Sequence, residues 1–229
     1  MTTSAANSVV VLPVGTVGID RGATIANQAS ALVQAGYKYA IRTVPLPNPA
    51  GSSAGTLTSD EVNTILSAGL ALGIYQPYRN KDITPDQGLE DGKSAALSAQ
   101  ALGAPVGQSA AMTLWCDLEG SFTDPNGQPV TPANMIAYLQ NWAIAAANLG
   151  FAPALYVGGQ SLLSSSQINS ITQFTGFWQA GGYIPALQRG YQMYQLHPLD
   201  IILPGMGINV DIDVVQQDFS GRSVAFWSR

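Results

Sequence analysis

Three predicted strands of this 229-residue chain carry carboxylates at positions suited to acid–base chemistry. Asp117 and Glu119 close a buried-looking apolar run, and residues two apart in a strand face the same side, so both should project together. Asp20 ends the first predicted strand, and Asp211 and Asp213 lie on the last. Burying a carboxylate beside apolar residues costs free energy, so such a residue is usually paired or functional. The pattern therefore predicts a chemical site built from these side chains.

Short β-type runs alternate with stretches that carry apolar residues at helical spacing. The predicted strands cover 17–20, 39–44, 72–78, 112–119, 154–157, 176–180, 192–196 and 210–215. The predicted helices cover 25–35, 60–68, 86–102, 133–149 and 161–171. The connections after the sixth and seventh strands contain no comparable helical pattern.

Helix-end signals support this alternation independently of hydrophobicity. Three threonines stand where amino-terminal caps belong, and four glycines stand where left-handed carboxyl caps belong: Thr58, Thr84, Thr131, Gly36, Gly69, Gly103 and Gly150. Repeated strand, capped helix and glycine predict parallel crossovers. We expect one α/β domain, a single (β/α)8-type, TIM-like barrel that is irregular in its last units, preceded by an N-terminal extension over 1–16. An open doubly wound sheet is the alternative.

In such a barrel the carboxyl ends of the strands form the working face. The first and last strands are neighbours in a closed barrel, so Asp20 should adjoin Asp211 and Asp213, with the fourth strand facing them. Crowded, buried carboxyls disfavour joint ionisation, so one member should have a raised pKa. A glycosidase needs such a protonated acid, and we assign that role to Glu119, whose longer side chain reaches into the opening.

Aromatic and amide side chains near other strand ends suit a carbohydrate ligand. The candidates for substrate binding are Tyr75, Gln76, Tyr156, Trp178, Gln179 and Gln195, together with Asp213 and Arg42. Strand alternation allows only about half of them to point inward. Arg42, polar within an apolar strand, is better interpreted as the ion-pair partner of an inward carboxylate than as a substrate clamp.

Composition excludes several classes of function. Only 10% of the residues are charged, the net charge is −5, and the basic residues are scattered, so we expect no nucleic-acid partner. The apolar run at 9–14 is too short for a membrane span, and no signal peptide is recognisable in this chain. The single cysteine, Cys116, should face away from Asp117 as a small buried hydrophobe.

The motifs GID (18–20), DLE (117–119) and VDID (210–213) resemble those of the family 25 glycoside hydrolases, the lysozyme-type muramidases. GIDRG, LWCDLEG and VDIDVVQQD together more closely resemble the bacterial glycoside-hydrolase-like domains of unknown function that are related to that family. The resemblance extends from Gly18 to about Asp218. Asp213 departs from the asparagine common in muramidases, and Arg21 and Arg42 fit the glycoside-hydrolase-like group better.

The resemblance implies cleavage between N-acetylmuramic acid and N-acetylglucosamine in peptidoglycan, with no cofactor and no metal. Glu119 matches the proton donor, and Asp20, Asp117 and Asp211 match the acidic residues around it. Asp117 or Asp211 would orient the substrate's acetamido group or stabilise the intermediate. Such a polysaccharide partner implies a secreted, periplasmic or cell-wall location, and we expect a monomer.

The same residue pattern allows other interpretations. A barrel that binds cell-wall glycan with weak or no catalysis would keep the same acidic groove. A metal-dependent hydrolase would use the carboxylates as hard oxygen ligands. A phosphodiesterase would normally need paired histidines, whereas the chain has only His197, and a Schiff-base lyase lacks a suitably placed lysine.

Overall fold

The computed structural model describes residues 7–47, 55–159, 161–182 and 184–229. Residues 1–6 of the predicted N-terminal extension lie outside this part of the chain. Within it the strands are β1 (Ser8–Val11), β2 (Val17–Asp20), β3 (Tyr39–Thr43), β4 (Ala71–Gln76), β5 (Thr113–Leu118), β6 (Ala152–Val157), β7 (Gly176–Gln179), β8 (Met193–Gln195), β9 (Ile201–Ile202), β10 (Asn209–Val215) and β11 (Ala225–Ser228). The helices are α1 (Ala29–Gln34), α2 (Ser59–Ala68), α3 (Pro85–Ala101), α4 (Pro132–Asn148) and α5 (Ser165–Asn169).

Eight of these strands form a closed barrel, as the sequence predicts. They follow the order β4, β3, β2, β10, β8, β7, β6 and β5, and pairing of β5 with β4 closes the ring. The seven strands from β2 to β8 pair with one another in parallel. The fold class is therefore a mixed α/β, TIM-like barrel with helices between strands.

The last barrel strand corrects one expectation, because β10 runs antiparallel to both β2 and β8. The connection 196–208 contains only the short β9, which pairs with the start of β10 as a hairpin arm. A parallel return needs a crossover that carries the chain back along the barrel, usually a helix, and this connection contains none. As a result, the beginning of β10, and not its end, lies at the rim where the other strands finish.

Besides β9, two further strands that the hydrophobic pattern did not predict lie outside the ring. β11 pairs antiparallel with β4 at Trp227 and Leu72, near the start of β4, and β1 pairs along β11. Phe226 of β11 packs against Tyr39 inside the barrel, with ring centroids 4.6 Å apart. These strands therefore cover the end of the barrel opposite the predicted site.

The helix caps agree with the sequence. Thr58, Thr84 and Thr131 each accept a hydrogen bond from the backbone N–H three residues on, and Gly36, Gly69, Gly103 and Gly150 all have positive φ. Two helices are shorter than predicted: the 25–35 segment begins with a 3₁₀ turn before α1, and α5 occupies only part of 161–171. No helix in the described residues is both long and apolar enough to cross a bilayer.

Candidate active site

A cleft of about 220 Å³ opens at the rim formed by the carboxyl ends of the parallel strands. Its lining includes all four carboxylates that the sequence predicts to be catalytic. The lining residues are Asp20, Arg21, Gly22, Tyr75, Asp117, Glu119, Tyr156, Trp178, Gln195, Asp200, Asn209, Val210 and Asp211. The barrel thus brings together side chains from both ends of the sequence.

Alternation along β5 explains the placement of Asp117. Trp115 belongs to the core inside the barrel, whereas Cys116 and Leu118 belong to the layer between barrel and helices. Asp117 shares the side of Trp115 and therefore lines the cleft. Cys116 is a buried free thiol on the opposite side, as the alternation predicts.

Asp20 and Asp211 form one half of the carboxylate cluster. They stand directly opposite each other in the antiparallel pairing of β2 with β10. The side-chain amide of Gln195 on β8 donates to both, at 2.9 Å to Asp20 Oδ2 and 3.1 Å to Asp211 Oδ2. The backbone N–H of Asp200 donates to Asp211 Oδ1 at 2.6 Å. This half is rich in hydrogen-bond donors.

Asp117 and Glu119 form the other half and receive fewer hydrogen bonds. The backbone N–H of Tyr78 donates to Asp117 Oδ2 at 3.3 Å, while the buried Asp117 Oδ1 has no partner among the described residues. Glu119 is half-buried just beyond β5. A Cβ at Gly158 would lie 2.5 Å from the Cβ of Glu119, so the absent side chain at this position gives Glu119 its room.

Burial is the largest cause of raised carboxyl pKa values throughout the cleft. Burial and then the charge of Asp211 raise the pKa of Asp20 to about 7. Burial and then the charge of Glu119 raise the pKa of Asp117 well above its usual value. The pKa of Glu119 is raised by burial and by Asp211, and that of Asp211 by burial. The cluster therefore retains protons at pH values where exposed carboxyls have lost them.

Asp213 lies beneath the cleft and does not line it. It is fully buried, opposite Gly18 of β2 and Gln195 of β8 in the strand pairing. Its Oδ1 accepts a 3.0 Å hydrogen bond from the indole N–H of Trp178, while its Oδ2 has no partner among the described residues. Burial and the charge of Asp20 raise the pKa of Asp213 well above its usual value. A direct substrate contact by Asp213, as the sequence suggested, does not fit this position.

Aromatic rings form the floor and one wall of the cleft. Trp178 makes edge-type contacts with Trp115, Tyr156 and Tyr75, with ring centroids 5.5, 4.6 and 6.4 Å apart. Of these four, Trp178, Tyr156 and Tyr75 line the cleft. Their interlocked rings hold one another in fixed orientations and offer an apolar surface beside the carboxylates.

Three predicted substrate-binding residues point away from the cleft, because each is next in sequence to an inward-facing residue. Arg42 is fully buried and forms an ion pair with Glu61 of α2, at 2.8 Å from Nε to Oε1. Gln76 accepts a hydrogen bond from the indole N–H of Trp142 on α4 at 2.7 Å. Gln179 follows the inward Trp178 and does not line the cleft. The partner of Arg42 is thus a helix carboxylate and not an inward one.

Three polar lining residues were not predicted as site residues. Arg21 follows Asp20 directly and donates from Nε to the backbone oxygen of Asn209 at 2.9 Å; its position just beyond a strand end was the available signal. Asp200 and Asn209 enter through the β9–β10 hairpin, which the sequence pattern left irregular. Among the described residues, no group of three acidic, histidine or cysteine side chains is arranged to hold a metal ion.

Residues 30–215 match the family model described as the Rv2525c-like, glycoside hydrolase-like domain. The chain belongs to this family. That result agrees with the resemblance of the GIDRG, LWCDLEG and VDIDVVQQD motifs. A search among curated proteins found no match.

Solved structures with the same fold include three bacterial proteins. An uncharacterised B. stearothermophilus protein has a TM-score of 0.65 at 18% identity, covering 88% of this chain and 96% of its own. The Tat-secreted protein Rv2525c of Mycobacterium tuberculosis, solved with L-tartrate, has a TM-score of 0.62 at 17% identity, covering 90% and 97%. GHIP, a glycosyl hydrolase 25 of Streptococcus pneumoniae, has a TM-score of 0.60 at 15% identity, covering 88% and 87%. At these identities the likeness establishes the shared barrel fold of the glycoside hydrolase-like domain.

Proposed function

We propose that the chain is a glycosidase that cleaves the glycan strand of bacterial peptidoglycan, with Glu119 as the proton donor. The observation that carries the proposal is the convergence of Asp20, Asp117, Glu119 and Asp211 around one aromatic-lined cleft at the working rim of the barrel. Membership of a glycoside hydrolase-like family supports the reaction class. The muramidase-type bond follows from the motif resemblance.

Glu119 suits the proton donor for three physical reasons. It is only half-buried, so a ligand in the cleft can reach its carboxyl group, whereas Asp213 is sealed beneath. Burial and the nearby charge of Asp211 favour its protonated form. Gly158 leaves it the space to occupy the cleft edge. In the reaction the Glu119 proton passes to the glycosidic oxygen as the bond from that oxygen to the sugar C1 breaks.

The aspartates would stabilise the positive charge that develops at the sugar as this bond breaks. Asp211 and Asp20 are held together on neighbouring strands, and Asp117 faces the same cleft from β5. By the family resemblance, Asp117 or Asp211 orients the substrate's acetamido group. Water then adds at C1 and returns a proton to Glu119, which completes hydrolysis.

The aromatic surface supports a carbohydrate ligand. Sugar rings present C–H faces that pack on aromatic rings and hydroxyls that hydrogen-bond to carboxylates and amides. Trp178, Tyr156 and Tyr75 supply the first kind of group and the surrounding carboxylates the second. Action on cell-wall glycan would place the protein in a secreted, periplasmic or cell-wall setting. We expect it to act there as a monomer, without nucleic acid.

The test is product analysis on purified peptidoglycan. The parent protein should release fragments with muramic acid at the reducing end, and Glu119→Gln should release at least ~100-fold less, since general acid catalysis contributes about 10²–10⁴-fold. Glu90→Gln, on the exposed surface of α3, is the matched control and should behave as the parent. Equal release by the parent and Glu119→Gln would remove Glu119 from its role.

A glycan-binding barrel without catalysis predicts a different outcome of the same experiment. The parent would then release no reducing ends from any glycan preparation, yet would sediment with insoluble cell walls. Retained sedimentation by Glu119→Gln together with lost turnover supports the enzyme. Binding without turnover in the parent supports the binding protein.

A further inference from the structure

The side-chain amide of Gln195 uses its whole hydrogen-bonding capacity within the protein. Its Nε2 donates to Asp20 and Asp211, and its Oε1 accepts from the Tyr156 hydroxyl at 3.0 Å and from the Gly181 backbone N–H at 3.1 Å. An amide offers two N–H donors and two oxygen lone pairs. No polar group of Gln195 is left for a substrate, although the sequence suggested a binding role.

The surroundings also fix which way this amide faces. The backbone N–H of Gly181 can only donate, so the atom facing it must be the oxygen. The nitrogen must then face Asp20 and Asp211. Gln195 is 8% exposed and lies on a barrel strand, which leaves the group little freedom to rotate away. The two donors are therefore aimed permanently at the two carboxylates.

We propose that Gln195 is a positioning residue that divides the cleft carboxyls into two functional halves. It holds Asp20 and Asp211 together and favours their ionised forms, which biases the protons of the cluster towards the Asp117 and Glu119 half. The assignment of catalytic roles to the halves rests on the proposed glycosidase function. The effect of Gln195 on the two aspartates does not.

The electrostatic environment agrees with this division. Burial and the charge of Asp211 raise the pKa of Asp20, while hydrogen bonds with Gln195 and then Asp213 lower it, which leaves it at about 7. In the other half, Asp117 accepts one hydrogen bond that lowers its pKa from within the described residues, and the donor is the backbone N–H of Tyr78. The titratable groups that face Asp20 are Asp211, Asp213, Glu119, Asp117, Tyr39, Tyr75 and Tyr156, and Arg21 adjoins it at the cleft.

The test is a carboxyl ¹³C NMR titration of Gln195→Met, a variant of similar shape that lacks the amide. A hydrogen bond to a charged group is worth about one to two pKa units, so the midpoint of Asp20 should rise by about that much, with Asp211 moving in the same direction. The midpoints of Glu119 and Asp117 should move less. In a glycan-cleavage assay, the rise of activity with pH should shift in the alkaline direction by a similar amount.

Gln192→Met is the matched control. Gln192 is buried three positions earlier, donates to Asp218 at 2.8 Å and accepts from the Phe177 N–H at 2.6 Å, all outside the cleft. It should lower the melting temperature and leave the Asp20 titration at its parental midpoint. If Gln195→Met does not fold, Gln195→Leu also removes the amide without adding a charge, and it should raise the Asp20 midpoint in the same way.

Two outcomes separate the claims. An unchanged Asp20 midpoint in a folded Gln195 variant overturns the positioning role, whatever the protein's activity. A shifted midpoint in a protein that cleaves no glycan supports the positioning of Asp20 and contradicts only the proposed glycosidase function. A lower melting temperature with no change of midpoint assigns Gln195 a purely structural role, which also overturns the proposal.

Discussion

Gly158→Ala should impair catalysis by displacing Glu119 while leaving the barrel intact. The added Cβ would lie 2.5 Å from Glu119 Cβ, 2.8 Å from Cγ and 3.0 Å from Cδ. Carbon atoms in ordinary contact are about 3.5–4.0 Å apart, so the Glu119 side chain must move by roughly 1 Å. A misplacement of that size costs about 10²-fold in rate, equivalent to roughly 2.7 kcal/mol of transition-state stabilisation.

The assay is the rate of reducing-end release from peptidoglycan at saturating substrate. Gly159→Ala is the matched control, because a Cβ there meets nothing within 4 Å, and it should keep the parental rate. The shortest contact is with Glu119 Cβ, which no rotation of the side chain can move, so the backbones at the ends of β5 and β6 must separate slightly. Gly158→Ala should therefore also lower the free energy of unfolding by about 1–3 kcal/mol, as overpacking does. Parental activity in Gly158→Ala would refute the claim that the exact position of Glu119 matters.

Two further predictions concern stability. Because the fold raises the pKa of Asp20 to about 7, the protonated carboxyl contributes its full stabilisation below about pH 4, and this contribution is lost as the pH rises through 7. The unfolding free energy of Asp20→Asn should therefore rise by at least ~1.4 kcal/mol relative to that of the parent between pH 4 and 8. If urea denaturation gives the same difference between the two proteins at every pH in that range, the prediction is contradicted. Arg42→Met should cost about 3–5 kcal/mol because it leaves Glu61 buried without its ion-pair partner. The double variant Arg42→Met/Glu61→Leu should recover part of that loss in the same measurement, since Glu61 no longer leaves a buried charge. It should not recover all of it, because the backbone oxygens of Arg21 and Gly55 still lack their Arg42 donors. A double variant no more stable than Arg42→Met would contradict the ion-pair account.

Local signals were sufficient to predict most of the barrel. Threonine caps and left-handed glycines act within one helical turn, and the buried β runs need no knowledge of distant partners. Thr84, for example, accepts from the Gln87 N–H, as the residue types alone indicate. The direction of β10 depends on how the 196–208 connection crosses the rim, which is a tertiary property. Absence of a helical pattern in that connection was the one available indication.

The candidate site was predictable where side-chain type and strand position agreed. Asp20 and Asp211 were expected to be neighbours from barrel closure, and they are. Alternation allowed only one of Tyr75 and Gln76 to face inward, and the sequence could not decide which. Trp142 of α4 settles it, because its indole N–H pairs with Gln76 on the helix side of the sheet. A contact between a strand residue and a helix residue of this kind depends on how the helices pack on the barrel, which the sequence pattern does not give.

The central claim, proton donation by Glu119, is tested most directly by varying the leaving group. The rates of the parent and Glu119→Gln should be compared on a natural glycan and on an aryl glycoside of the same sugar whose leaving group needs no protonation. We expect a loss of about 10²–10⁴-fold on the glycan and near-parental cleavage of the activated aryl glycoside. An equal loss on both substrates would contradict the account, because it would show that Glu119 does not act by protonating the departing oxygen.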